Sequence, residues 1–101
     1  MIARIWRGTV HTDRAQDYVN YIVGTGMAEY RRTPGNLGAQ MLTRDLRDGR
    51  TEVITMSWWD SLDSIHGFAG DEISAAVFYP EDDAYLIDRD LTVRHYEVRD
   101  S

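Results

Sequence analysis

Three histidines, three tryptophans and eleven arginines hold most of the reactive potential of this 101-residue chain, which has neither cysteine nor lysine. His66 shares a helical spacing with Leu62, Ile65 and Ala69, so its imidazole is expected to point toward a sheet or its margin. Neutral imidazole near pH 7 can take or give a proton, as general acid–base chemistry requires. His95 alternates with Val93 on a C-terminal strand, while Arg94 and Tyr96 take the opposite face. The pattern leaves open which of the two faces meets the helices. His11 lies at a strand end, and three histidines so far apart form no metal motif. Without cysteine there is no disulfide, thiolate nucleophile or Cys-ligated metal, and without lysine no Schiff base.

Trp6, Trp58 and Trp59 supply large apolar surfaces, either for a core or for stacking a flat aromatic ligand, and each buried indole N–H needs an acceptor. Tyr18, Tyr30, Tyr79 and Tyr85 are candidate phenol donors. Tyr79 stands out because Phe78-Tyr79-Pro80 follows a short helical turn expected over Glu72–Val77, at the rim of a pocket. Arg4 and Arg7 fall on opposite faces of a strand expected to be central. Each guanidinium must meet either a carboxylate or an anionic ligand.

The elements that must hold these residues are legible from periodicity. Ile2–Val10 has the composition of a strand. Thr12 is the expected cap of a helix whose stripe is Ala15, Tyr18, Val19 and Ile22. Gly24 and Gly26 either break that helix or let it approach the sheet, before Met27 and Tyr30 lead to a stop at Thr33-Pro34-Gly35-Asn36. Leu37–Leu46 and Thr51–Trp59 form a hairpin around Arg47-Asp48-Gly49-Arg50. Asp60 or Ser61 caps a second helix, paired with Asp63 or Ser64 respectively, that ends at Gly70. Leu91–Val98 is the last strand. The order is β-α-β-β-α-β, an α+β ferredoxin-like sandwich in one domain spanning residues 1–101.

Strands Ile2–Val10 and Thr51–Trp59 are apolar on both faces, and two helices cover only one face of a four-stranded sheet. The other face calls for a partner, and a second copy of the chain is the simplest one. The outer strands carry Gln40, Arg44, Arg94 and Glu97, as edges should. A net charge of -6 opposes nucleic-acid binding. No apolar run approaches the roughly 20 residues of a membrane helix, and the N-terminus enters a strand without a signal-like segment, so a cytoplasmic location is expected. Asp71, Glu72, Glu81, Asp82, Asp83, Asp88 and Asp90 are expected to form a solvated rim, since they lack the spacing of a calcium loop.

Several segments together resemble the antibiotic biosynthesis monooxygenase-like family along nearly the whole chain. They are Arg4-Ile5-Trp6-Arg7-Gly8, Tyr30-Arg31, Thr33-Pro34-Gly35-Asn36, Ser57-Trp58-Trp59-Asp60-Ser61, Ile65-His66-Gly67-Phe68-Ala69-Gly70, Tyr79-Pro80-Glu81-Asp82-Asp83 and His95-Tyr96-Glu97-Val98. The resemblance implies a dimeric α/β barrel, with two sheets facing each other and a pocket between each sheet and its own helices. It implies cofactor-free oxidation of an aromatic or polyketide-like small molecule. His66 or His95 would be the base, Trp58 or Trp59 would stack the ring, and Tyr79 or Arg4 would hold its oxygens. No cofactor or metal is expected. Non-redox isomerisation or cyclisation, and ligand binding without catalysis, are alternatives on the same fold. Haem-degrading relatives use an Asn on the first strand where this chain has Trp6 or Arg7, which with the acidic charge makes that activity less expected.

Overall fold

In the computed structural model, which describes all 101 residues, β1 (Ile2–His11) is the centre of an antiparallel sheet. It pairs along its whole length with β3 (Arg50–Trp59), which pairs in turn with β2 (Asn36–Asp45). The other edge of β1 is shared by β4 (Leu86–Arg89) and β5 (Arg94–Glu97). The final strand expected over Leu91–Val98 forms over the shorter span Arg94–Glu97, and β4 is an additional strand before it. A shift of register at Thr9/Val10 in the β1–β4 pairing separates β4 from a regular ladder.

The pairing Trp6↔Thr55 and Arg4↔Ser57 fixes which side chains share a face. Ile2, Arg4, Trp6 and Val10 lie beside Val53 and Trp59 under the helices. Ile5 and Arg7 share the far face with Ile54, Met56 and Trp58. The helix-side set joins Tyr18, Ile22, Met27, Tyr30, Ile65 and Val93 in the core. Gly8 serves this face by what it lacks. A Cβ there would stand 2.7 Å from the Trp6 ring, so only glycine lets that indole lie along the strand.

The first helical layer does break at the glycines. A 3-10 turn (Thr12–Arg14) leads into α1 (Ala15–Gly24), and α2 (Gly26–Arg32) follows after Thr25. Thr12 is not the cap expected of it, because the 3-10 turn starts one residue after His11 and its hydroxyl instead meets Thr51 Oγ1 at 2.9 Å. Gly26 is buried, but a Cβ on it would make only ordinary contact with the Tyr79 ring at 3.4 Å, so of the two roles expected for these glycines the structure shows the break. The hairpin turns through left-handed geometry at Gly49 (φ 86°), as expected of its Asp-Gly, but the other left-handed residue is Arg47 (φ 66°) and not Asp48.

Helix α3 (Leu62–Ala69) is capped by Ser61, whose hydroxyl accepts from Ser64 N–H. Of the helical turn expected over Glu72–Val77 a single hydrogen-bonded turn forms, Ala75 N–H to Glu72 O at 3.1 Å. That segment runs irregularly, tied by an isolated bridge of Ala75 to Thr92, and the helix forms later as α4 (Asp82–Tyr85). No helix is long and apolar enough to cross a membrane.

Candidate functional site

The two arginines of β1 meet different fates. Arg7, on the far face, pairs with Glu52, which also accepts from Arg44 Nε at 3.1 Å. The Arg7 hydrogen bond, more than Arg44's, holds the Glu52 carboxyl below the usual glutamate range against the opposing effect of its burial. Arg4, on the helix side, is 1% exposed, and no carboxylate pairs with it. Its Nη1 donates to Ile73 O (2.6 Å) and its Nη2 to Ala75 O (3.2 Å), while Nε is buried with no acceptor. Burial lowers the Arg4 pKa, and the neighbouring Tyr30 phenol offsets part of that.

The remaining Arg4 contact settles the face of His95. The pair Arg4↔His95 across β1 and β5 puts the imidazole on the helix side, with Nε2 3.0 Å from Arg4 Nη1. A guanidinium only donates, so Nε2 accepts and the ring proton sits on Nδ1. Burial first, and the Arg4 charge second, push the His95 pKa below its ordinary 6.5. His95 is thus a neutral imidazole at pH 7, with its basic nitrogen directed at a buried cation.

Beside this pair lies a cavity of about 30 Å³, space for about two waters. Arg4, Trp6, Tyr30, Phe68, Phe78 and Tyr79 form much of its wall. Trp6 donates its indole N–H to Asp90 O (2.8 Å) and meets Phe78 edge-on, with ring centroids 6.3 Å apart. Phe68 lies against Tyr30 (4.5 Å between centroids) and under the Arg4 guanidinium (5.6 Å). Burial pushes the Tyr79 phenol up to about 12, so it stays a hydroxyl donor through the neutral range.

Asp82 is the residue that sequence reasoning missed. It lines the cavity at 2% exposure, where a solvated acidic rim was expected. Its carboxylate accepts Tyr79 N–H (2.6 Å) and the Tyr18 hydroxyl (3.2 Å), a partner 64 positions away. No sequence signal separates it from Glu81 and Asp83, which are exposed. Burial raises its pKa against those hydrogen bonds and the Arg89 charge. A carboxyl whose folded pKa exceeds its unfolded one favours the fold while protonated. That contribution is full below the ordinary 3.8 and is lost as pH rises through the folded value. Asp82→Asn should therefore flatten the melting temperature across that acidic window and leave wild type the steeper loss. Identical pH slopes for the two proteins would show that Asp82 is not the buried carboxyl described.

Of the other expected site residues, Tyr79 and Arg4 meet at the cavity and His95 adjoins it through Arg4. His66 does not. It is exposed, with Nδ1 2.8 Å from Gly70 O at the end of its own helix. The buried stripe of α3 is Ile65 with Phe68 and Ala69, and Leu62, the other supposed member, is 46% exposed. Trp58 lies on the far face of the sheet. Trp59 is fully buried on the helix side, its indole N–H on Ser57 Oγ (2.9 Å), and it reaches the cavity only through the rings of Tyr30 and Phe68. It is a core residue rather than a stacking platform.

A ferredoxin-like sheet with an aromatic cavity against its own helices defines a class, the small α+β proteins of ferredoxin-like fold. Within that class the chain has the fold of the antibiotic biosynthesis monooxygenases. A proposed antibiotic biosynthesis monooxygenase from Bacillus cereus superimposes with a TM-score of 0.69 at 21% identity, covering 99% of this chain and 94% of that one. SnoaB, a cofactor-independent oxygenase from Streptomyces nogalater, superimposes with a TM-score of 0.61 at 17% identity, covering 99% and 94%. MhuD, in a structure with two manganese protoporphyrin IX bound per active site, gives 0.57 at 16%, covering 97% and 94%. No family model and no curated protein matches the sequence.

Proposed function

We infer that this protein is a cofactor-independent monooxygenase of a small aromatic or polyketide-like molecule, working at the Arg4–His95 cavity as a homodimer in the cytoplasm. The observation that carries this reading is an imidazole with Nε2 3.0 Å from a buried, carboxylate-free guanidinium beside an aromatic wall. An acidic hydroxyl or activated C–H of the substrate, placed between the two groups, gives its proton to His95 Nε2. Arg4 then holds the phenolate or enolate oxygen, charge against charge, where little water screens the pair. The substrate anion reduces molecular oxygen by two electrons and forms a C–O bond to it. The resulting peroxide takes the proton back from His95 and loses water, leaving a new carbonyl. The cavity has room for about two waters, so a ring enters as the Ala76–Tyr79 wall moves aside.

A porphyrin does not suit these residues. The imidazole expected on the helix, His66, faces solvent, and His95 already spends Nε2 on Arg4. The buried Asp82 carboxyl on the wall would also oppose propionate groups.

The test is oxygen uptake by purified protein offered hydroxylated anthrones and naphthols. Uptake of one O₂ per substrate, with a quinone as product, is expected. Turnover that persists without oxygen would replace this reading with an isomerase or cyclase. Tight binding without any turnover would replace it with a binding protein.

A further inference from the structure

We propose that the ligand of this cavity carries a carboxylate, gripped by the edge of Arg4 that the fold leaves unused. The inference rests on the cavity being the ligand site and narrows what enters it. A guanidinium has five N–H donors. Three are engaged, Nη1 with Ile73 O and His95 and Nη2 with Ala75 O. One hydrogen on Nε and one on Nη2 remain, and Nε is buried without any acceptor. Two free donors on adjacent nitrogens form the fork that matches two oxygens of one anion.

Leaving such a cation buried and unpaired is costly, whereas a carboxylate made available by a ligand satisfies charge and both donors together. The charge balance of the wall limits that anion to a single negative charge. Arg4 is the only cation lining the cavity, and Asp82 is on the wall with it. A phosphate dianion would find one cation and an opposing acid. The aromatic surfaces of Trp6, Phe68 and Phe78 suit the rest of an aryl acid. The class is therefore an aromatic acid of single negative charge.

Three probes decide this, 1-hydroxy-2-naphthoate, its neutral amide, and 1-naphthyl phosphate. Each is titrated anaerobically into the purified protein by calorimetry, with tryptophan fluorescence as a second readout. The acid should bind about tenfold or more tighter than the amide, the worth of charged hydrogen bonds, and tighter than the phosphate. Arg4→Gln should bring acid and amide together, and Arg4→Lys, which keeps the charge but not the fork, should recover only part of the gap. Equal affinity for acid and amide in wild type overturns the proposal, and so does a preference for phosphate or no binding of any probe. If the Arg4 variants do not fold, the wild-type comparison still decides. Acid-selective binding without oxygen uptake would sink the oxygenase reading alone. Uptake on neutral naphthols with no preference for the acid would sink the carboxylate alone.

Discussion

His95→Ala is expected to lower turnover by about 10²–10⁴-fold, the usual worth of a positioned acid–base group, while His66→Ala leaves it unchanged. Both histidines fall in segments that share the monooxygenase resemblance, so the contrast between them is a strict test of geometry. His95 Nε2 is 3.0 Å from a buried guanidinium, whereas His66 closes its own helix end in solvent. The pH profile carries a second signature. The folded pKa of His95 is below 6.5, so the base form persists into mildly acidic solution. The acid limb of kcat/KM should therefore fall below 6.5 and disappear in whatever activity His95→Ala retains. Stability should follow the same group. Between 6.5 and the lower folded value the unfolded chain binds more protons than the folded one, so acidification through that window destabilises the protein. The variant should lose that slope. An unaltered rate in His95→Ala, or an equal loss in His66→Ala, would remove His95 from the mechanism.

Trp58→Glu is the second large effect, expected to abolish the proposed dimer while leaving the protomer folded. The far face of the sheet presents Ile5, Ile54, Met56 and Trp58 half-buried, with Leu42 43% and Tyr96 50% exposed. No helix covers it. The Arg7–Glu52–Arg44 cluster on the same face is already internally neutralised at Glu52, so apolar contact can form beside it without leaving that acid unpaired. A glutamate on this surface places an uncompensated charge in the proposed interface from each copy. Each costs about 3–5 kcal/mol, on the order of 10²–10⁴-fold in dimer affinity. Sedimentation should show wild type as a dimer and Trp58→Glu as a monomer of unchanged far-UV circular dichroism. Leu62→Glu, equally apolar but on the helix side, should stay dimeric. A monomeric wild type would leave the apolar face without its proposed cover.

The two long strands could be read from the chain because alternation is a local property. Trp6 and Val10 against Ile5 and Arg7, or Val53 and Trp59 against Ile54 and Trp58, sort themselves without knowledge of the neighbours. The helix α3 could not be read so well. Eight residues admit two stripes, Leu62-Ile65-His66-Ala69 or Ile65-Phe68-Ala69, and packing on Tyr30 and Trp59 selects the second. His95 needed the register with Arg4, a pairing across 91 positions. Asp82 is hidden by its exposed acidic neighbours, since its burial comes from Tyr18 on a distant helix. Strand β4 has four residues and an irregular ladder, too little for any period to show. The contrast between Arg4 and Arg7 was legible as a question, because two guanidiniums on one central strand each demand a partner. Only the structure shows that Glu52 answers one of them.

A crystal structure of the protein soaked anaerobically with a hydroxylated anthrone tests the central claim most directly. Density is predicted on the helix side of the sheet, between Trp6 and Phe68, with a substrate oxygen within hydrogen-bond distance of both Arg4 and His95 Nε2 and with Ala76–Tyr79 displaced. An anthrone bound against Trp58 on the far face, with Arg4 and His95 still bonded to each other, would contradict it.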